Sequence, residues 1–263
     1  MSKKRIIPKL QLINSSFDED LFSVVTTEKF DRIIEVGDPV SQAKIYEAQL
    51  VDELILLDLS FHKGKKNKEL ILDVLKSVAK EVFLPLTIGG GVKTLDDIRA
   101  LLNNGADKIS INSAILNDNN LLIDAARMYG SSTIVASIDY KLDENGIYKV
   151  FSHGGKLKHD ISPLSWAKKA EDMGAGELLI TNIDQDGSKK GLELEISSQI
   201  SENSNIPVII SGGCGNSSHF VEGFKQCNAD AISAGTFFCF QDQSPMQTRG
   251  HISNAGFDIR TST

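Results

Sequence analysis

Small and glycine-rich turns recur where apolar runs end. Gly89, Gly90 and Gly91 follow LPLTI and precede a helical pattern, and Asn112 and Ser113 follow KISI. Further along, Gly187 follows Asp186 after ELLITNI, Gly213 ends IPVIISGG, and Gly235 and Thr236 follow AISA. A strand–glycine–helix turn lets backbone N–H groups approach an anion closely, with a helix dipole behind them. Asparagine and serine add side-chain donors. A lone glycine triplet is weak, because plain tight turns use glycine too; two matched sets favour a ligand with a phosphate at each end. The stretch RIIPKLQL, residues 5–12, raises a different question. It alternates as a strand does, with Arg5 at its entry and Gln11, an uncharged amide, at its exit. A strand end facing an active site would be expected to carry a titratable group there.

The elements that would position these turns are strands at 5–12, 53–59, 84–88, 108–112, 133–139, 177–182, 208–211 and 231–234. Amphipathic stretches separate most of them, such as 94–103 with Leu95, Ile98, Leu101 and Leu102 on one stripe. Thr94 with Asp96 and Asp97 reads as a helix start, and Gly105 as its stop. Alternating strands and helices on this scale predict a TIM (β/α)8 barrel, with a doubly wound sheet as the other option. An internal repeat sharpens the choice. VDELILLDLS, LPLTIGGGVKTLDD and GADKISINSA are matched by AGELLITNIDQDG, IPVIISGGCGNSSH and NADAISAGTFF. Glu53 to Glu177, Gly91 to Gly213 and Ser113 to Thr236 are spaced by nearly the same offset. The expectation is one barrel domain over 1–263, built from two similar halves with phosphate cradles on opposite sides of its mouth.

Composition narrows the class. With 41% hydrophobic and 24% charged residues, the chain resembles an ordinary globular protein. A net charge of −7 argues against nucleic acid as a partner. The basic run at 63–68 is short and reads as a solvated loop. Three cysteines without ligand spacing argue against a disulfide framework or a structural zinc, and fit a reducing cytoplasm. No apolar run has membrane-spanning length.

The motifs RIIP, VGDP, DELILLD, IGGG, ADKISIN, SIDYK, GAGELLITNIDQDG and SGG resemble the cyclase subunit family of imidazole glycerol phosphate synthase, from about residue 4 to about residue 240. The resemblance implies a TIM barrel that takes ammonia from a glutaminase subunit docked on its N-terminal face. The ammonia passes through the barrel core and reacts at the C-terminal face with a ribulosyl bis-phosphate. It implies phosphate contacts at Gly91, Asn112 and Ser113, and at Gly187, Gly213, Gly235 and Thr236. It also implies an ammonia gate of Arg5, Glu53, Lys108 and Glu177, and a glutaminase contact at Asp107. It implies neither a metal nor a cofactor.

The same resemblance exposes a departure. The family divides acid and base roles between aspartates on strands one and five. Strand five keeps Asp139, whereas Gln11 stands at the strand-one position and cannot exchange a proton at useful pH. A lysine of the loop after strand one falls at Thr26, with Lys29 nearby, and that loop is lengthened and acidic at Asp18, Glu19 and Asp20. The 237–263 tail lacks the regular charged helix that ends the family. The expected function is therefore a conduit: a paralogue that passes ammonia to a separate amidotransferase making an acetamidino group on a surface-polysaccharide sugar. The alternatives are a genuine cyclase of histidine biosynthesis and a purely structural barrel.

Overall fold

A computed structural model describes residues 3–60, 64–240 and 244–260, apart from the Lys65 side chain. Eight parallel strands close on themselves: β1 (Arg5–Asn14), β4 (Leu54–Asp58), β5 (Leu86–Gly89), β6 (Lys108–Ile111), β7 (Ile134–Leu142), β10 (Glu177–Asn182), β11 (Val208–Ser211) and β12 (Ala231–Ala234). Each pairs with the next, β6 pairs with β7 across the half-barrel boundary, β7 pairs with β10 within the second half, and β12 returns to β1. The chain folds as the expected (β/α)8 barrel.

Side-chain alternation sorts each strand into two faces. On β1, Ile6, Leu10 and Leu12 join the large core between barrel and helices, whereas Arg5, Ile7, Lys9 and Gln11 point inward. The outer core is covered by helices including α1 (Pro39–Ala48), α2 (Lys65–Glu81), α3 (Leu95–Asn103), the short α4 (Ser113–Asn117), α5 (Asn119–Tyr129), α6 (Pro163–Asp172), α7 (Glu195–Asn203), α8 (Ser217–Cys227) and the short α9 (Thr236–Phe240). Helix α3 starts as its sequence requires. Thr94 Oγ1 accepts from Asp97 N–H at 3.1 Å, and Asp97 Oδ2 accepts from Thr94 N–H at 3.0 Å, a reciprocal cap.

The half-barrel repeat reappears as one packing solution used twice. Gly90 has φ +98° and Gly212 φ +97°. A Cβ on Gly90 would strike the Asp58 backbone at 2.1 Å, and one on Gly212 the Asn182 backbone at 2.6 Å. Both turns double back over the end of the preceding strand, which only glycine permits.

Two expectations need correction. The segment after β1 is not a loop but a hairpin, β2 (Phe22–Glu28) and β3 (Arg32–Gly37), with β2 antiparallel to β1. Its β-branched run satisfies backbone groups against β1, where a loop would leave them unpaired. The basic run is not a solvated loop: its last four residues form the first turn of α2, where Lys66 pairs with Asp20 and Lys68 Nζ meets Asp97 Oδ1 at 2.6 Å. Lys63 lies outside the described residues. The tail forms a helix, α10 (Pro245–Asn254), capped by Ser244 and Gln247; with Arg249 and His251 its only ionisable side chains, it is not a regularly charged helix. Arg249 on it pairs with Asp52 at 2.9 Å.

Beyond β7 the sheet continues antiparallel through β8 (Tyr148–Ser152) and β9 (Leu157–His159).

Candidate active site

The barrel floor is closed by charge. Arg5 Nη1 meets Glu53 Oε1 at 2.8 Å and Arg5 Nη2 meets Glu177 Oε1 at 2.7 Å. Lys108 Nζ meets Glu53 Oε2 at 3.0 Å and Glu177 Oε2 at 2.8 Å. Every carboxylate oxygen of the pair thus has a cationic donor, as nearly buried carboxylates require. Burial alone would raise Glu53, but the charges of Arg5 and Lys108 outweigh it and hold the carboxyl below its usual range. Burial likewise opposes the Arg5 charge, and Glu177 and Glu53 more than compensate. Asp107, exposed beside Lys108, has one oxygen committed to capping the Leu86 N–H at 2.8 Å.

Above the ring lies an apolar waist of Ile7, Ile55, Val135, Leu179, Ile209 and Ala231. Above the waist the inward positions turn polar, with Lys9, Ser137, Thr181, Ser211 and Ser233 all buried.

At the mouth, Asp139 on β7 accepts from Asn112 Nδ2 at 2.7 Å. Burial pushes its carboxyl up to about 7, against the opposing charge of Lys9 and the Asn112 hydrogen bond, with Asp186 adding a smaller upward push. The residue retains a partly open edge. It is therefore a carboxyl able to change protonation near neutral pH. Gln11 is buried on the β1 side. Thr27 Oγ1, from the hairpin, lies 2.7 Å from Asp186 Oδ2 and 3.1 Å from Gln11 Oε1. Its single proton is shared between two acceptors, of which the carboxylate is nearer and stronger. Lys9 Nζ completes the group, 3.4 Å from Asp186 Oδ1 and 3.0 Å from Ser211 Oγ.

The comparisons with known proteins agree with this architecture. Residues 5–243 match the family described as "Histidine biosynthesis protein". The chain belongs to this family. It is 45% identical over 262 residues to the "Putative imidazole glycerol phosphate synthase subunit hisF2" of Prochlorococcus marinus (strain MIT 9313), covering 99% of each chain. It is 41% identical over 260 residues to the "Imidazole glycerol phosphate synthase subunit HisF" of Hydrogenobaculum sp. (strain Y04AAS1), and 40% identical over 263 residues to the subunit of that name from Clostridium botulinum (strain Langeland / NCTC 10281 / Type F). Each alignment spans 99% of this chain and all of the relative.

The turns expected to hold phosphate all sit at the C-terminal ends of the strands, but their surroundings differ. Asn112 Oδ1 is buried without a hydrogen-bond partner among the described residues, and Ser113 Oγ accepts from His153 N–H at 3.0 Å. Gly91, with φ +69°, is partly open. In the second half the hairpin lies across the turns. A Cβ on Gly187 would sit 2.1 Å from the Thr27 carbonyl oxygen, and Thr236 Oγ1 donates to that oxygen at 3.4 Å. Gly213 is buried, with its carbonyl accepting from Gly191 N–H at 2.9 Å. Gly235 packs on the Lys9 carbonyl, and a Cβ there would lie 4.0 Å from Gln11 Oε1.

Three residues of the site were missed in the sequence. Lys9 could have been found, because it shares the inward register of Arg5 and Gln11. Thr27 required knowledge of the hairpin. Arg260 reaches the floor from the tail, 3.8 Å from Glu53 Oε1, and no local pattern marks it. Thr26 is buried in the hairpin, whereas Lys29 is exposed at its tip, with φ +54°.

Proposed function

We propose that this chain is the HisF-like barrel subunit of a glutamine amidotransferase pair. A glutaminase subunit docks at the floor, Asp107 included, and delivers ammonia through the ring of Arg5, Glu53, Lys108 and Glu177. The ammonia emerges beside Asp139 in a cytoplasmic complex. A separate amidotransferase then uses it to convert an acetamido group of a surface-polysaccharide sugar to an acetamidino group. The observation that carries this reading is Gln11, an amide built into the Thr27–Asp186 network where an acid/base pair would need a second carboxyl on strand one. Losing one such partner costs a rate factor of about 10²–10⁴.

A second reading is the cyclase reaction itself, yielding imidazole glycerol phosphate and an aminoimidazole carboxamide ribotide. Asp186 favours it, since it places another carboxylate near Asp139, though Lys9 and Thr27 already engage both of its oxygens. In that case the glycine turns and Ser113 would hold the two phosphates.

Turnover of the ribulosyl bis-phosphate with ammonium salt decides between them. The conduit reading expects almost none from the unsubstituted barrel, and robust turnover overturns it. Gln11→Asp, alone or with Thr26→Lys, is expected to bring turnover up to a measurable level.

A further inference from the structure

Between the gate and the mouth, the barrel interior holds an incomplete set of hydrogen-bonding groups. Lys9 points inward from β1, and its ammonium has three N–H groups. Two are directed at Ser211 Oγ (3.0 Å) and Asp186 Oδ1 (3.4 Å), which leaves one to spare among the described residues. Ser233 stands next to Ser211 as its direct partner across the β11–β12 ladder. It is fully buried on the inner face, and its Oγ has no hydrogen-bond partner among the described residues. Native interiors rarely leave a buried hydroxyl unpaired unless a small polar guest completes it.

We propose that Lys9, Ser211 and Ser233 form a holding site for one molecule of neutral ammonia at the inner side of the mouth. The proposal rests on the reading of the barrel as an ammonia conduit. The approach from the floor crosses the waist of Ile7, Ile55, Val135, Leu179 and Ile209, where an ion would lose its hydration and a small neutral molecule would lose far less. The spare Lys9 N–H donates to the ammonia lone pair, and an ammonia N–H donates to Ser233 Oγ. A fixed ammonium disfavours a second cation beside it. Asp186 is already shared between Lys9 and Thr27 and offsets only part of that charge. The guest is thus kept as the unprotonated nucleophile, and leaves upward toward Asp139 when Lys9 releases it.

The test soaks crystals of the whole chain in hydroxylamine at slightly alkaline pH, where this small ammonia analogue is uncharged. A separate soak uses caesium chloride, whose cation stands in for ammonium and is located by anomalous scattering. Hydroxylamine density within hydrogen-bond reach of Ser233 Oγ and Lys9 Nζ, with no caesium peak there, is the expected result. Ser233→Ala, a conservative change, should lower that occupancy several-fold, and Lys9→Met should admit caesium. Water alone at the site under saturating hydroxylamine, or a caesium peak in the unsubstituted chain, overturns the proposal. Coupling of glutamine hydrolysis to the barrel is measured separately in the complex with the glutaminase. A coupled complex with an empty site defeats the holding site alone. An occupied site in an uncoupled complex defeats the conduit and leaves a site for small neutral amines.

Discussion

Asp139 is the residue where environment matters most. Because burial raises its folded-state pKa to about 7, the folded chain holds that proton more tightly than the unfolded chain, where an aspartate titrates near 4. Its contribution to stability is therefore fully present below about pH 4 and is lost as pH rises through about 7. Asp139→Asn is expected to stabilise the fold by about 1–3 kcal/mol near pH 8, and by almost nothing near pH 4. Urea unfolding at the two pH values checks this; an equal effect at both would show that desolvation does not set the carboxyl's behaviour. Residues of this kind were legible in part. Arg5, Glu53, Lys108 and Glu177 announce themselves as charges opening apolar runs, and the structure joins all four in one ring. Lys9 carries no such signal, because a lysine in a strand ordinarily faces water. Only closure of the barrel makes that face an interior.

At the scale of elements, the barrel strands were legible because their β-branched and apolar runs are long and bounded by turn residues. Strands β10, β11 and β12 fall on the expected residues, and the others within a few positions. The hairpin was not. Its strand signal, FSVVTTE, sits after an acidic stretch and reads as the continuation of an extended loop. What fixes it is tertiary: β2 pairs with β1 from Gln11 to Asn14, and the Lys29 N–H donates to the Asp186 carbonyl at 2.9 Å. Thr27 adds the side-chain tie. Thr27→Val preserves shape and β propensity while removing the hydroxyl, at a cost of about 1–2 kcal/mol to local closure. Amide hydrogen exchange over residues 22–37 should then quicken by about tenfold, since each 1.4 kcal/mol is a factor of ten. Exchange unchanged in that window would mean that β1 pairing alone secures the hairpin.

For the whole molecule, the floor and the mouth are distinct charge systems separated by an apolar waist. Lys108→Ala removes one of the two cations that bridge Glu53 and Glu177, Arg260 reaching Glu53 alone. Breaking a fully buried pair costs about 3–5 kcal/mol; Lys108 keeps some access to water, so a loss of about 1–3 kcal/mol is expected, read by denaturant midpoint. In the complex with a glutaminase, the same change should uncouple glutamine hydrolysis from ammonia delivery; coupling that survives would place the gate elsewhere. The hairpin has a consequence for timing. With the Thr27 carbonyl seated over Gly187 and its hydroxyl on Asp186, a ligand of the proposed second-half phosphate turns would not settle there at every encounter. It must wait for the roof to lift. Stopped-flow association should therefore climb with ligand concentration and then level off at a ceiling set by hairpin opening, and Thr27→Val, which favours the open hairpin by about tenfold, should steepen the initial slope by a similar factor and raise that ceiling.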